Sequence, residues 1–138
     1  MRAELERQAE SVAAGRVMFL GALEDPRPAL AAADVLVLPS ETEGIPAVLI
    51  EAAFSELPVV ATLVGGVPEI VVNGETGVLV PRRPEPTVLA GAIRAAAKER
   101  QAMGRAARLR CLERFEIGVV AARWDALLEE LGGWDAPQ

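Results

Sequence analysis

The sequence contains no histidine and no tyrosine, and Cys111 is its only cysteine. Without histidine, imidazole acid–base catalysis and most zinc sites are excluded from this chain. A lone cysteine forms no internal disulfide, so a reducing cytoplasm is the expected location. Cys111 falls in a predicted helix over 105–115, where a buried or half-buried thiol is the ordinary expectation.

Long hydrophobic runs are also missing. No apolar segment approaches the ~18 residues of a membrane span, and the charged start at 1–4 is unlike a signal peptide. The net charge is −6, whereas a surface that follows nucleic-acid phosphates needs clustered excess Lys and Arg. We therefore expect neither a transmembrane segment nor a nucleic-acid partner.

What is present is the composition of a globular domain. The 138 residues are 51% hydrophobic and 25% charged, enough for one domain with a buried core. Lys98 is the only lysine among the 14 basic residues. We take this arginine bias, together with the high alanine content, as a hypothesis of origin in a GC-rich bacterial genome.

The stretch over 35–55 predicts a strand, a loop and a helix. An apolar, β-branched run at 35–38 is typical of a strand buried on both faces. Residues 40–44 supply the loop, and Pro46 suits a first helical residue because its φ is fixed and it lacks an N–H. The helix is expected to run from Pro46 to about Ser55.

That arrangement predicts an anion site. The unpaired first-turn amides and the helix dipole favour a phosphate near Gly44, Ile45 and Ala47, where glycine also permits close approach of a ligand. Glu43 stands at the mouth, and Glu51 lies roughly 7.5 Å down the helix axis. Taken alone, the two glutamates are better explained as a loop acid and a surface helix acid favoured near a helix N-terminus.

Patterning predicts the remaining elements. Helices are expected at 2–14, 28–33, 68–71, 87–97, 101–115 and 118–131. Further strands are expected at 16–20, 58–62 and 77–80. The alternation of strand and helix through residue 80 indicates an α/β fold with a Rossmann-like parallel sheet of about four strands. Gly65-Gly66 predicts a tight turn. Arg82 and Arg83 could meet a phosphate, but an exposed pair flanked by prolines is more often solvated. Packing is the default explanation for Trp124 in an apolar stripe, and contact of the last helix with another domain is the alternative.

The 43–51 stretch resembles the donor-site motif of retaining GT-B glycosyltransferases, particularly the family 4 group that includes bacterial mannosyl- and glucosyltransferases. Their pattern is Glu, seven residues and Glu, with Gly after the first Glu, as in Glu43-Gly44 through Glu51. Further matching segments occur in the family's order at 16–21, 31–40, 57–62, 65–69 and 73–77. Together they span nearly the whole chain and resemble the family's C-terminal, nucleotide-sugar-binding domain, followed by helices from about 87 to 131.

The resemblance implies specific roles for these residues. Glu43 would contact the transferred sugar as the catalytic residue. The donor-binding residues would be Gly44, Ile45, Pro46, Ala47 and Glu51. Gly65 and Gly66 would form a secondary loop at the cleft. The substrate would be a UDP or GDP type of nucleotide sugar, the transferred group a hexose and the stereochemistry retained, with no metal required.

The resemblance is incomplete at its start. The family's C-terminal domain begins with a strand, a Gly-Arg segment, a helix and a second strand that have no match here, and the Arg and Lys that approach the donor's pyrophosphate have no counterpart. This implies open strand edges: another chain or copy fills the space, the 16–20 strand moves beside the 35–38 strand, or the chain is an excised part of a longer protein. The expected partners are the N-terminal domain or another copy of the chain, in a homo-oligomer or by strand exchange. The isolated chain is expected to be inactive, and the complete enzyme to lie in the cytoplasm or at the inner membrane.

Two other functions stay open. A non-catalytic binding or assembly module would keep the fold without the pyrophosphate cations. A nucleotide-sugar epimerase of the same architecture is less favoured, because the Glu43-Gly44-Ile45-Pro46 segment points to transfer. Glu43 and Glu51 could also suggest the acid and the nucleophile of a glycosidase. This is disfavoured because glycoside hydrolysis does not use a strand, loop and helix that bind phosphate.

Overall fold

The computed structural model describes residues 1–132. The elements in that range are α1 (Arg2–Ala13), α2 (Arg27–Ala32), β1 (Leu36–Leu38), α3 (Ala47–Phe54), β2 (Val59–Thr62), α4 (Val67–Ile70), β3 (Gly77–Val80), α5 (Pro86–Lys98), α6 (Arg100–Phe115) and α7 (Ile117–Glu130). None of these helices combines the length and hydrophobicity that crossing a membrane requires. Most bounds lie within one or two residues of those predicted from the sequence.

The three strands form one parallel sheet in the order β1-β2-β3. Leu36 pairs with Val59, and Val60 pairs with Val78, which sets the register. All four residues of β2 are buried, because the central strand of a parallel sheet is covered on both faces by helices. The α/β fold class with a parallel sheet is confirmed.

Successive residues of β2 point to opposite faces of the sheet and enter two cores. One core lies on the side of α3 and includes Leu49, Ala52, Leu57, Val59, Ala61, Val67 and Cys111. The other lies on the side of α5 and comprises Val60, Val80, Ala92, Ala96 and Met103. The sheet is therefore the middle layer of an α/β/α sandwich.

The strand predicted at 16–20 is not formed, so the sheet has three strands rather than about four. Val17, Met18, Phe19 and Leu20 are 49%, 81%, 37% and 55% exposed. A strand is stabilised by its neighbours more than by intrinsic propensity, and among residues 1–132 no strand pairs with this segment. Its apolar residues are correct for a strand, but no described element pairs with it.

Helix α3 ends in a Schellman motif. The amides of Glu56 and Leu57 donate to the carbonyls of Ala53 and Ala52 at 3.0 and 2.9 Å. Glu56 takes the left-handed conformation, with φ 54°, at the position that glycine usually occupies. Gly104 of α6 lies directly under this turn, since a Cβ at Gly104 would stand 2.0 Å from the Glu56 carbonyl oxygen.

Helix α7 does not bury its apolar stripe. Trp124, Leu127 and Leu128 are 59%, 43% and 38% exposed, and no residue of α7 is buried. Packing against the described part of the chain, the default explanation for Trp124, is therefore wrong. Residues 133–138 lie outside the described range.

Candidate functional site at the carboxyl edge of the sheet

Three loops meet where the strands end. Residues 39–46 follow β1, residues 63–66 follow β2 and residues 81–85 follow β3. Because the strands are parallel, all three loops leave the sheet at its carboxyl edge, where ligands bind in α/β proteins. The predicted site residues lie in the first two loops and on α3.

The first loop leads into the start of α3. Pro46 is buried and extended, with φ −75° and ψ 110°, and the helix begins at Ala47. The sequence predicted Pro46 as the first helical residue. Pro46 is instead the residue before the helix, because its ψ is that of a strand. The Leu49 amide donates to the Pro46 carbonyl at 3.1 Å, while the amides of Ala47 and Val48 have no acceptor one turn earlier within the helix.

The two glutamates flank this helix start. Glu43 is half-buried in the loop, and Glu51 is exposed on α3, four residues after Ala47 and therefore about 6 Å along the axis. Among residues 1–132 neither carboxylate takes part in a salt bridge. The same range holds no group of three or more Cys, Asp or Glu side chains placed to bind a metal ion.

The second loop supports the first through backbone contacts. The Gly66 amide donates to the Gly44 carbonyl at 2.8 Å. A Cβ at Gly65 would stand 1.8 Å from the Glu43 carbonyl oxygen, and one at Gly66 would stand 2.5 Å from that of Gly44. Gly65 also has a φ of +48°, in the region that glycine tolerates best. The structure thus brings Gly65 and Gly66 against Glu43 and Gly44, which a tight turn alone does not require.

A buried hydroxyl joins β2 to the first loop. Thr62 is fully buried, and its Oγ1 donates to the carbonyl of Ser40. The bond satisfies a polar side chain that would otherwise be buried without a partner. Thr62 was predicted only as the end of a strand, because no local sequence pattern indicates its partner 22 residues away.

The third loop reaches the first through an ion pair. The Arg83 Nε and Nη2 atoms donate to Oε1 and Oε2 of Glu41 at 2.9 and 2.7 Å, and Arg82 Nη2 lies 3.5 Å from the same carboxylate. Hydrogen bonds from Arg83 are the largest cause of a pKa for Glu41 below its ordinary value. Solvation was the favoured expectation for Arg82 and Arg83, and no role was predicted for Glu41.

A family model described as "Glycosyl transferases group 1" matches residues 1–99. The chain is 51% identical over 73 residues to D-inositol 3-phosphate glycosyltransferase of Corynebacterium diphtheriae, covering 49% of this chain and 16% of that protein. It is 42% identical over 64 residues to N-acetyl-alpha-D-glucosaminyl L-malate synthase of Bacillus anthracis, covering 46% of this chain and 17% of that protein. The chain thus spans about a sixth of the length of these relatives.

Solved structures resemble nearly all of the chain. Sucrose-phosphate synthase from Thermosynechococcus elongatus matches with a TM-score of 0.83 and 32% identity over 94% of this chain and 34% of that protein. The Anabaena protein HepE in complex with UDP matches with a TM-score of 0.86 and 26% identity over 94% of this chain and 36% of that protein. These neighbours are GT-B glycosyltransferases. With a family model matched over 99 of its 138 residues, the chain belongs to the glycosyl transferases group 1 family.

Proposed function

We propose that this chain provides the donor half-site of a retaining bacterial glycosyltransferase that acts in the cytoplasm and transfers a hexose from a nucleoside diphosphate sugar. The observation that carries the proposal is the order of groups beyond β1. A half-buried carboxylate at Glu43 is followed by the open start of α3, and then by the exposed carboxylate of Glu51. Structures of HepE with UDP, with UDP and glucose, and with UDP-glucose support a nucleotide sugar as the ligand class.

Each group has a role that its chemistry suits. The two oxygens of Glu51 accept hydrogen bonds from the ribose hydroxyls. The amides of Ile45 and Ala47, together with the positive end of the α3 dipole, neutralise the diphosphate as it leaves. Gly44 lets the donor approach the backbone, and Pro46 fixes where the helix begins. Glu43 contacts the sugar, no carboxylate nucleophile is assigned, and the leaving group is stabilised without a metal ion.

Donor binding is one half of a transfer site, so the proposal includes a second component that carries the acceptor. The exposed apolar residues at 17–20 and the unburied stripe of α7 support such a partner, since contiguous exposed apolar surface is typical of an interface. The partner is the N-terminal domain of the enzyme or a second copy of the chain. The same observation supports the alternative function, an assembly module that does not bind nucleotide.

Calorimetric titration with UDP and with GDP tests the proposal. Saturable binding is expected, and Glu51→Gln should weaken it about five- to tenfold, because a charged acceptor of two hydroxyl hydrogen bonds is lost. Glu113→Gln, at an exposed glutamate of α6, is the matched control and should leave the affinity unchanged. Absence of binding by a chain that is folded by circular dichroism, with an oligomeric mass by light scattering, would favour the assembly module.

A further inference from the structure

The ion pair between Glu41 and Arg83 connects the outer two loops of the carboxyl edge across the end of the central strand. The residues are 42 positions apart in the chain, and β2 lies between the strands that precede them. We propose that this pair positions the loop that carries Glu43, and that Glu41 and Arg83 are positioning residues for donor binding. The effect on donor affinity rests on the proposed function, whereas the effect on the loop does not.

The pair joins two separate loops through a two-point contact. The Arg83 Nε donates to Oε1 of Glu41 and the Nη2 donates to Oε2, and such two-point contacts fix direction as well as distance. Arg83 has a φ of 55°, a conformation that non-glycine residues avoid and that persists only where the surroundings impose it. Pro81 and Pro84 on either side restrict the loop further, so the backbone that carries the Arg83 side chain has little freedom.

The pair completes a set of three contacts on the first loop. Thr62 Oγ1 holds the Ser40 carbonyl at the start of the loop, and the Gly66 amide holds the Gly44 carbonyl near its end. Between them, Glu41 is the residue whose side chain connects the loop to the third loop. With the Ser40 and Gly44 carbonyls bound from the β2 side, the Glu41 contact leaves the backbone of Thr42 and Glu43 little freedom. The Glu43 side chain therefore leaves the loop from a defined position relative to α3.

A matched pair elsewhere in the chain gives a control. Arg27 donates from Nε and Nη2 to the two oxygens of Asp25 at 2.8 and 2.9 Å, which is also a two-point contact at the surface. Its partners are two residues apart, so it connects no separate elements. Asp25→Asn removes this ion pair without touching the carboxyl edge, and its Oδ1 remains an acceptor for the Arg27 amide, which donates to Asp25 Oδ1 at 3.0 Å.

The first experiment needs no ligand. Amide hydrogen exchange is measured at Gly66, whose amide donates to the Gly44 carbonyl at 2.8 Å, in the wild-type chain, in Glu41→Gln and in Asp25→Asn. We expect Glu41→Gln to accelerate exchange at Gly66 about two- to fivefold, the range that corresponds to exposed ion-pair couplings, and Asp25→Asn to leave it unchanged. Equal exchange at Gly66 in all three proteins would overturn the proposal, whether or not the chain binds nucleotide.

The second experiment measures UDP affinity in the same proteins. Glu41→Gln and Arg83→Gln should each weaken binding about two- to fivefold, and the exchanged pair Glu41→Arg with Arg83→Glu should recover part of the loss. Arg83→Lys should recover little, because an ammonium group lacks the two-point geometry. Wild-type affinity in Glu41→Gln would contradict the role in donor binding, whereas a wild-type chain that does not bind UDP would contradict the proposed function instead.

Discussion

Gly65→Ala is expected to be among the most damaging single-methyl additions in this fold. The new Cβ would stand 1.8 Å from the Glu43 carbonyl oxygen, and the residue would have to hold a φ of +48°. The left-handed conformation costs an alanine about 1–2 kcal/mol, and relieving the overlap costs about 1–3 kcal/mol more. The expected loss of unfolding free energy is therefore about 2–5 kcal/mol, a large share of the ~5–15 kcal/mol typical of a domain.

Alanine substitutions at three other glycines separate the cost of the positive φ from the cost of the steric overlap. A Cβ at Gly66 would stand 2.5 Å from the Gly44 carbonyl oxygen without a positive φ, Gly74 has a φ of +80° with open space around it, and Gly44 has neither feature. Alanine should cost about 1–3 kcal/mol at Gly66, about 1–2 kcal/mol at Gly74, and less than ~0.5 kcal/mol at Gly44. Urea unfolding followed by far-ultraviolet circular dichroism measures all four.

The refuting result is specific. If Gly65→Ala were no less stable than Gly74→Ala, the second loop would yield without penalty and would not support the Glu43 backbone. If Gly44→Ala cost as much as Gly65→Ala, the steric crowding found at Gly65 and absent at Gly44 would not explain the loss of stability. Either outcome would remove the steric argument for placing Gly65 and Gly66 in the site.

Three further predictions concern α6 and the end of α3 that packs against it. Gly104→Ala should destabilise the fold by about 1–3 kcal/mol, because its Cβ would meet the Glu56 carbonyl at 2.0 Å, whereas Gly91→Ala on α5, with nothing within 4 Å, should stabilise it by about 0.5–1 kcal/mol in urea unfolding. Glu56→Gly should raise the urea midpoint by relieving the left-handed conformation, by about 0.5–1 kcal/mol; a lower midpoint would contradict this account of the α3 terminus. Burial raises the pKa of the Cys111 thiol from its ordinary value of 9.0, so the stability it contributes is complete below that value and is lost as pH rises through the higher folded value. Ellman's reagent should label Cys111 only in urea, and labelling of the folded chain at neutral pH would contradict its burial.

The sequence predicted those elements that are determined locally. The strand at Val59–Thr62 and the helix at Ala47–Phe54 carry their signals in β-branched runs, in Pro46 and in periodic apolar residues. The strand at 16–20 has the same local signal and is not formed, because pairing is a property of two strands and the sequence of one does not provide the other. The same reason explains Trp124, whose apolar stripe is correctly located but has no covering element among residues 1–132.

The contacts that shape the site were the least predictable part. These contacts form where the loops come together at one edge of the sheet. They join Glu41 to Arg83, Thr62 to Ser40 and Gly65 to Glu43. Once the parallel order of the strands is known, the proximity of these loops follows. Which side chains within them touch depends on backbone details, such as the positive φ of Arg83, that no local pattern in the sequence indicates.

Mapping UDP onto the chain by amide chemical shifts tests the central claim most directly. The account predicts that saturating UDP shifts the amides of Gly44, Ile45, Ala47 and Glu51 most, with smaller shifts at Gly65 and Gly66, and that these shifts diminish in Glu51→Gln. Shifts concentrated on α5 to α7, or no shifts at all in a folded chain, would contradict a donor site at the carboxyl edge of the sheet.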